Sequence, residues 1–134
     1  MEQFIKEYGA KPEHLGAYLK VFINILMGVN VLHSNRQVHR DIAPKNIFLT
    51  GKLSDGSISA KLGDFGIAKD VMATKVTMMS LKGTPFYMSP ELQTANEGGM
   101  PSDMWAVGIT FYQVLAGSLA SPFLSFADLL NGRP

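Results

Sequence analysis

The sequence predicts a mainly α-helical domain that carries one small β-hairpin. Three observations lead there. Leu15, Tyr18, Leu19, Phe22, Ile25, Leu26, Val29 and Leu32 recur at steps of three and four, the period of an amphipathic helix over about residues 13–34. Ile47-Phe48-Leu49 and the alternating Ile58, Ala60 and Leu62 flank a stretch rich in Gly, Asp and Ser, which reads as a hairpin. Met104, Trp105, Val107, Ile109, Phe111, Val114, Leu115 and Ala116 cover nearly the whole circumference of a further helix, the pattern of one that runs through a core.

The remaining segments fit around these three. Met1 to Tyr8 reads as a short helix with Phe4, Ile5 and Tyr8 on one face, stopped by Gly9. Pro12 suits the first turn of the long helix. His33 ends that helix, where an imidazole near the last carbonyls is reason enough for it. Ser34-Asn35-Arg36-Gln37 breaks the helix, and Pro44 pushes Ala43 toward an extended backbone. Residues 66–85 show no sustained period, and they carry Thr74, Thr77, Ser80 and Thr84; a loop of this length inside a compact domain is usually functional or disordered. Ser102 reads as the N-cap of the core helix, Asp103 as an acid in its first turn and Gly117 as its stop. Ser125 and Asp128 read as a capping box for a last short helix ending at Gly132.

Composition narrows the function classes. The chain has 134 residues, 46% hydrophobic and 17% charged, enough for one globular domain with a core. A net charge of +1 gives no argument for nucleic acid or an anionic membrane surface as partner. With no cysteine there is neither a disulfide framework nor a thiolate metal site. The first residues lack the apolar core of a signal peptide, and no unbroken run of 18 apolar residues suggests a membrane span. These points favour an intracellular setting, cytoplasmic or nuclear.

Four polar segments then fall in one order: His39-Arg40-Asp41 with Asn46 shortly after, Asp64-Phe65-Gly66, Gly83-Thr84-Pro85 with Ser89-Pro90-Glu91, and Ser102-Asp103-Met104-Trp105. Together they resemble the C-terminal lobe of a eukaryotic protein kinase, and their wording is most similar to the NIMA-related serine/threonine kinases. The resemblance implies the kinase fold without its N-lobe, and a partial kinase domain over residues 1–134, truncated at both ends. It implies transfer of the ATP γ-phosphate to a Ser or Thr hydroxyl of a protein substrate, with ATP and Mg²⁺ as cofactors. Asp41 would orient the substrate hydroxyl and accept its proton. Asn46 and Asp64 would hold the metal ions, hard cations that take amide and carboxylate oxygen. Phe48 would lie under the adenine ring or else be plain core. Thr84 would contact the catalytic Asp. Arg40 would pair with a phosphate on the loop, at Ser80 first, with Thr77 and Thr74 as further candidates. His39, Phe65, Glu91 and Asp103 would be structural anchors.

The chain departs from the family in three places. Ala43 stands two positions after Asp41, where serine/threonine kinases carry a Lys that touches the γ-phosphate. Lys45 stands where tyrosine kinases carry an Arg, and it is expected to supply the missing ammonium, since residues 43 and 45 of an extended segment point the same way. No Gly-rich phosphate loop or N-lobe strand run occurs. Glu91 is expected to be buried without its usual Arg partner unless Arg133 substitutes. Helix faces left uncovered would make the isolated product marginal and prone to aggregate. The alternative function is therefore a catalytically inactive remnant, a pseudokinase-like binding module.

Overall fold

The computed structural model describes residues 1–63, 69–70, 87–91 and 99–119. This part holds the α-helices named below, two short antiparallel ladders and helical residues at 90–91. Helix α1 is Glu2–Tyr8, α2 is Leu15–Ser34 and α3 is Met100–Ala116. Strands β2 (Ile47–Thr50) and β3 (Ser59–Leu62) form the expected hairpin, in the register Ile47 to Leu62 and Thr50 to Ser59. A second ladder pairs β1 (Gln37–Val38) with β4 (Lys69–Asp70). Single 3₁₀ turns cover Pro12–His14 and Pro44–Asn46.

The core lies where α2 crosses the hairpin. Tyr18, Val21, Ile25, Val29 and Leu32 of α2 are buried, and α2 packs mainly on β3, then on α3 and β1. Alternation on the return strand works as the sequence suggests: Ile58, Ala60 and Leu62 point inward. Asn24 ties the two elements by polar bonds, since its Oδ1 accepts the Ala60 N–H at 3.0 Å and the Ser59 hydroxyl at 3.2 Å. That satisfies an edge amide of β3 which would otherwise be orphaned. Phe22 of α2 stacks on Phe111 of α3 with ring centroids 4.0 Å apart. Tyr18 locks the entry to α2, because its hydroxyl accepts the Lys11 N–H at 3.1 Å and donates to the Tyr8 carbonyl.

Several expectations change. Leu15 and Leu19 are exposed rather than core, and with Ile23, Met27 and Val31 they form an outward row at four-residue steps. The helix is apolar on both faces, so periodicity alone could not choose the buried one. By length and composition Pro12–Ser34, at a hydropathy of 1.7, could cross a bilayer, a test that the core helix of a soluble protein also passes. Helix α3 is not enclosed all round, since Met104, Tyr112 and Leu115 are exposed. Its N-cap is Gly99, three residues before Ser102, and Ser102 completes the capping box by accepting the Gly99 N–H. A glycine cap has no side chain to advertise it. Tyr8 is exposed beside buried Phe4 and Ile5. The expected last helix, with Ser125, Asp128 and Gly132, lies outside the described residues.

Two neighbouring isoleucines test the orientation of α2. Ile25 is 3% exposed and Ile23 is 54% exposed. Ile25→Ala should lower stability by about 2–5 kcal/mol and Ile23→Ala by under about 0.5 kcal/mol, measured by urea unfolding. The reverse order of losses would mean that the helix is turned the other way.

Candidate active site

The site grows from the short segment between β1 and β2. Val38 leaves its ladder, and the backbone turns sharply at Arg40, whose φ is +72°. A non-glycine residue in this left-handed region is strained, at a cost of about 1–3 kcal/mol, and something must hold it there. The holder is Asp103, almost fully buried in the first turns of α3. Its Oδ2 accepts the His39 N–H at 2.8 Å and its Oδ1 accepts the Arg40 N–H at 2.9 Å. His33 adds a third contact, Nε2 to Asp103 Oδ2 at 2.8 Å. One carboxylate thus satisfies two consecutive amides at the kink and joins the end of α2 to α3. The role in this pair was not visible for His33, which lies 70 residues from its partner. Burial pushes the Arg40 guanidinium below its ordinary value, and the Asp103 carboxylate pulls it back up. Arginine stays cationic in either case.

His39 is fully buried and its tautomer follows from its neighbours. The Asp41 N–H donates to Nδ1 at 3.1 Å, so Nδ1 carries no proton. Nε2 therefore carries it and donates to the Gly63 carbonyl at 2.7 Å. The ring is a strut between the loop and the end of the hairpin. Gly63 is bound a second time, its N–H donating to the Asn46 carbonyl at 2.7 Å. A side-chain carbon at Gly63 would fall 2.1 Å from Cε2 of Phe48, so only glycine allows the ring to lie there. Phe48 itself is 57% exposed, so it is not buried among the described residues.

Asp41 and Asn46 meet directly. Asn46 Nδ2 donates to the Asp41 carbonyl at 2.7 Å and to its carboxylate Oδ2 at 2.8 Å. Both amide hydrogens are spent on Asp41, which leaves the Oδ1 oxygen as what Asn46 can offer a cation. Ala43 is extended, as expected before Pro44, but the segment beyond it does not stay extended. Pro44 fixes φ and starts a 3₁₀ turn, closed by the Asn46 N–H to the Ala43 carbonyl at 2.9 Å. Residues 43 and 45 therefore do not share a side: Ala43 is buried, whereas Lys45 is exposed and reaches back to Asp41 Oδ2 at 3.8 Å.

Glu91 differs from expectation as well. It is exposed, and its Oε1 accepts the Ser102 hydroxyl at 3.0 Å, while Ser102 accepts from the Ser89 hydroxyl at 2.9 Å. Its carboxylate needs no buried cation. Asp64, Phe65, Thr74, Thr77, Ser80, Thr84 and Arg133 lie outside the described residues. Among the described residues no group of three His, Cys, Asp or Glu could hold a metal ion. Among the described residues, the hard oxygen donors at this site are the Asn46 amide oxygen and the Asp41 carboxylate.

The protein kinase domain family matches residues 2–125. The chain belongs to the protein kinase family. It is 37% identical over 121 residues to mouse serine/threonine-protein kinase Nek3, a NIMA-related kinase, covering 90% of this chain and 22% of that protein. It is 41% identical over 93 residues to the delta subunit of rabbit calcium/calmodulin-dependent protein kinase type II, covering 69% of this chain and 17% of that one. It is 38% identical over 94 residues to serine/threonine-protein kinase fused of Drosophila melanogaster, covering 70% and 11%. The chain thus spans less than a quarter of the length of each of these relatives.

Replacing the buried carboxylate should loosen the loop. Asp103→Ala leaves two amides and His33 without their acceptor, and a loss of about 3–5 kcal/mol, as for breaking a buried charged pair, is expected by urea unfolding. Amide exchange should rise at His39 and Arg40 before it rises at Val21 or Val29. Uniform acceleration across all four would show that Asp103 serves the fold as a whole rather than this kink.

Proposed function

We propose that the chain is the helical lobe of a serine/threonine protein kinase, with residues 1–134 forming part of its catalytic domain, and that the whole protein transfers the ATP γ-phosphate to a Ser or Thr hydroxyl of a protein substrate. The observation that carries this reading is the Asp41 carboxylate, gripped by Asn46 and fixed by a loop whose backbone is bonded to Asp103 and Gly63 and whose His39 ring is bonded to Gly63 as well. Phosphoryl transfer asks a protein mainly for positioning and charge. A carboxylate held this firmly can orient a hydroxyl and take up its proton.

The Asn46 Oδ1 oxygen and Asp64 are the residues that would hold Mg²⁺. The ion neutralises phosphate charge when bound. Phe48 offers an exposed ring face of a size to lie under a purine. In this reading Arg40 meets a phosphate on Ser80, or on Thr77 or Thr74. Thr84 contacts Asp41. His39, Phe65, Glu91 and Asp103 hold the frame. The Gly-Thr-Pro segment at Gly83 and the serine/threonine kinases among the relatives support Ser and Thr as acceptors over Tyr. Use of ATP as donor fits an intracellular setting.

The test uses the full-length protein with Mg²⁺, labelled ATP and peptides carrying Ser, Thr or Tyr. Transfer to Ser or Thr is expected, lost on chelation with EDTA. Asp41→Asn should lower turnover by roughly 10²–10⁴-fold with nucleotide affinity retained, as for loss of a general base. If the wild type neither binds ATP up to millimolar concentration nor transfers phosphate, the binding-module reading replaces this one.

A further inference from the structure

We infer that Asp55 is a site of spontaneous isomerisation to isoaspartate, and that the change frees the hairpin loop from α2. The loop of residues 51–58 between β2 and β3 is longer than the roughly 2–5 residues of an ordinary hairpin connection. It carries Asp55-Gly56, a pair in which the glycine has no side chain to shield its amide nitrogen from the preceding carboxyl. The chemistry is independent of the catalytic site.

The loop brings the reacting atoms together and leaves them room. Asp55 and Gly56 are both exposed. The Ser57 N–H donates to Asp55 Oδ1 at 2.9 Å, which folds the carboxyl group forward over the Gly56 nitrogen as in an Asx turn. Gly56 has a φ of +72°, and a side-chain carbon there would meet no atom within 4 Å, so no neighbour blocks the approach. At Gly51, by contrast, such a carbon would fall 2.2 Å from the Ser57 carbonyl oxygen, so the start of the loop is packed and its tip is open. The Gly56 N–H is held only by a long bond, 3.4 Å to the Leu53 carbonyl. Hydrogen bonds from Ser57, and after them the Lys20 charge, hold the Asp55 carboxyl below its ordinary value. Only its uncharged fraction loses water readily, so the product accumulates over days.

The steps balance with water alone. The Gly56 nitrogen forms a bond to Asp55 Cγ, and its proton leaves with the carboxyl hydroxyl as water, closing a succinimide. Water then adds to the Asp55 main-chain carbonyl and breaks that carbon's bond to the Gly56 nitrogen. The chain now runs through Cγ, and the former main-chain carboxyl is free. Nothing is oxidised or reduced, and the mass is unchanged. The backbone gains one carbon at the loop tip, a displacement of about 1.5 Å. Lys20 Nζ of α2 donates to the Gly56 carbonyl at 2.6 Å, and the Lys52 N–H donates to Ser57 Oγ at 2.9 Å. A shift of that length takes both partners out of hydrogen-bond reach. Gly63, at the far end of the hairpin, keeps its bonds to His39 and Asn46.

The experiment incubates the full-length protein at neutral pH and body temperature. Trypsin cuts after Lys52 and Lys61, so residues 53–61 leave as one peptide. Isomerised material should appear as a second chromatographic peak of unchanged mass. That peak should accept a labelled methyl group from S-adenosylmethionine through an isoaspartyl methyltransferase. Asn131-Gly132 falls in another peptide and gains mass on deamidation, so the two are told apart. Asp55→Glu should lose the second peak, because closure would need a six-membered ring, and its unfolding midpoint should match wild type. Wild type held in guanidinium chloride gives the rate without the fold, and the folded protein should form isoaspartate at least as fast. In the isomerised fraction amide exchange should rise at residues 52–57 and stay unchanged at His39 and Gly63. No second peak, one that persists in Asp55→Glu, or one that forms more than about tenfold slower folded than unfolded overturns the site. A second peak with amide exchange unchanged over residues 52–57 overturns the release of the loop.

Discussion

One buried carboxylate sets the geometry on which the rest depends. Asp103 accepts two successive backbone amides, and so makes a left-handed Arg40 affordable in a chain of L-residues. Remove that acceptor and the kink at Arg40 that leads into Asp41 loses its two backbone bonds. The strain at Arg40 and the bonds that offset it are of similar size, about 1–3 kcal/mol each. The kink therefore exists only with α3 in place. Function is coupled to packing here through backbone hydrogen bonds, and no substrate contact is needed to see it.

The second support is the hairpin. Its inner face sits on α2, its outer edge is tied by Asn24, and its end is bonded to both His39 and Asn46. Two elements of different kind thus grip the same few residues from opposite sides. A loop with a single anchor would hinge about it. With two anchors, His39 to Asn46 can behave as a rigid piece although hardly any of it is regular structure. Protein kinases need this rigidity, because small errors in placing a hydroxyl against phosphorus cost large factors in rate.

Much of this was legible in the residues, for reasons that can be stated. The hairpin could be read because a half-buried strand alternates, and Ile58, Ala60 and Leu62 do so. The long helix could be read because its apolar period is unmistakable. Its buried face could not, since Leu15, Leu19, Ile23, Met27 and Val31 make a second apolar row. Asp41, Asn46 and Asp103 were found as polar residues in a recognisable order. His33 was missed because its meaning comes from a partner 70 residues away. The Gly99 cap was missed because glycine signals no bond, and the β1–β4 ladder because two residues per strand carry no period. Lys45 was expected near Asp41 for a reason that failed, and it arrives there through a turn that Pro44 starts.

The long sequence separation within the anchor also bears on how the protein is made. The bonds from His39 and Arg40 to Asp103 span 64 and 63 residues. On a ribosome the loop is synthesised first and its acceptor comes much later. At about 5–20 residues per second, that interval is roughly 3–13 s. For those seconds α2 and the hairpin can pair, since their contacts are close in sequence, while Arg40 has no reason to remain left-handed. The future site passes through a stage with its scaffold partly formed and its geometry absent. A chaperone that shields the apolar face of α2 until α3 emerges would act on this stage, and synonymous codons that slow translation after the hairpin would lengthen it.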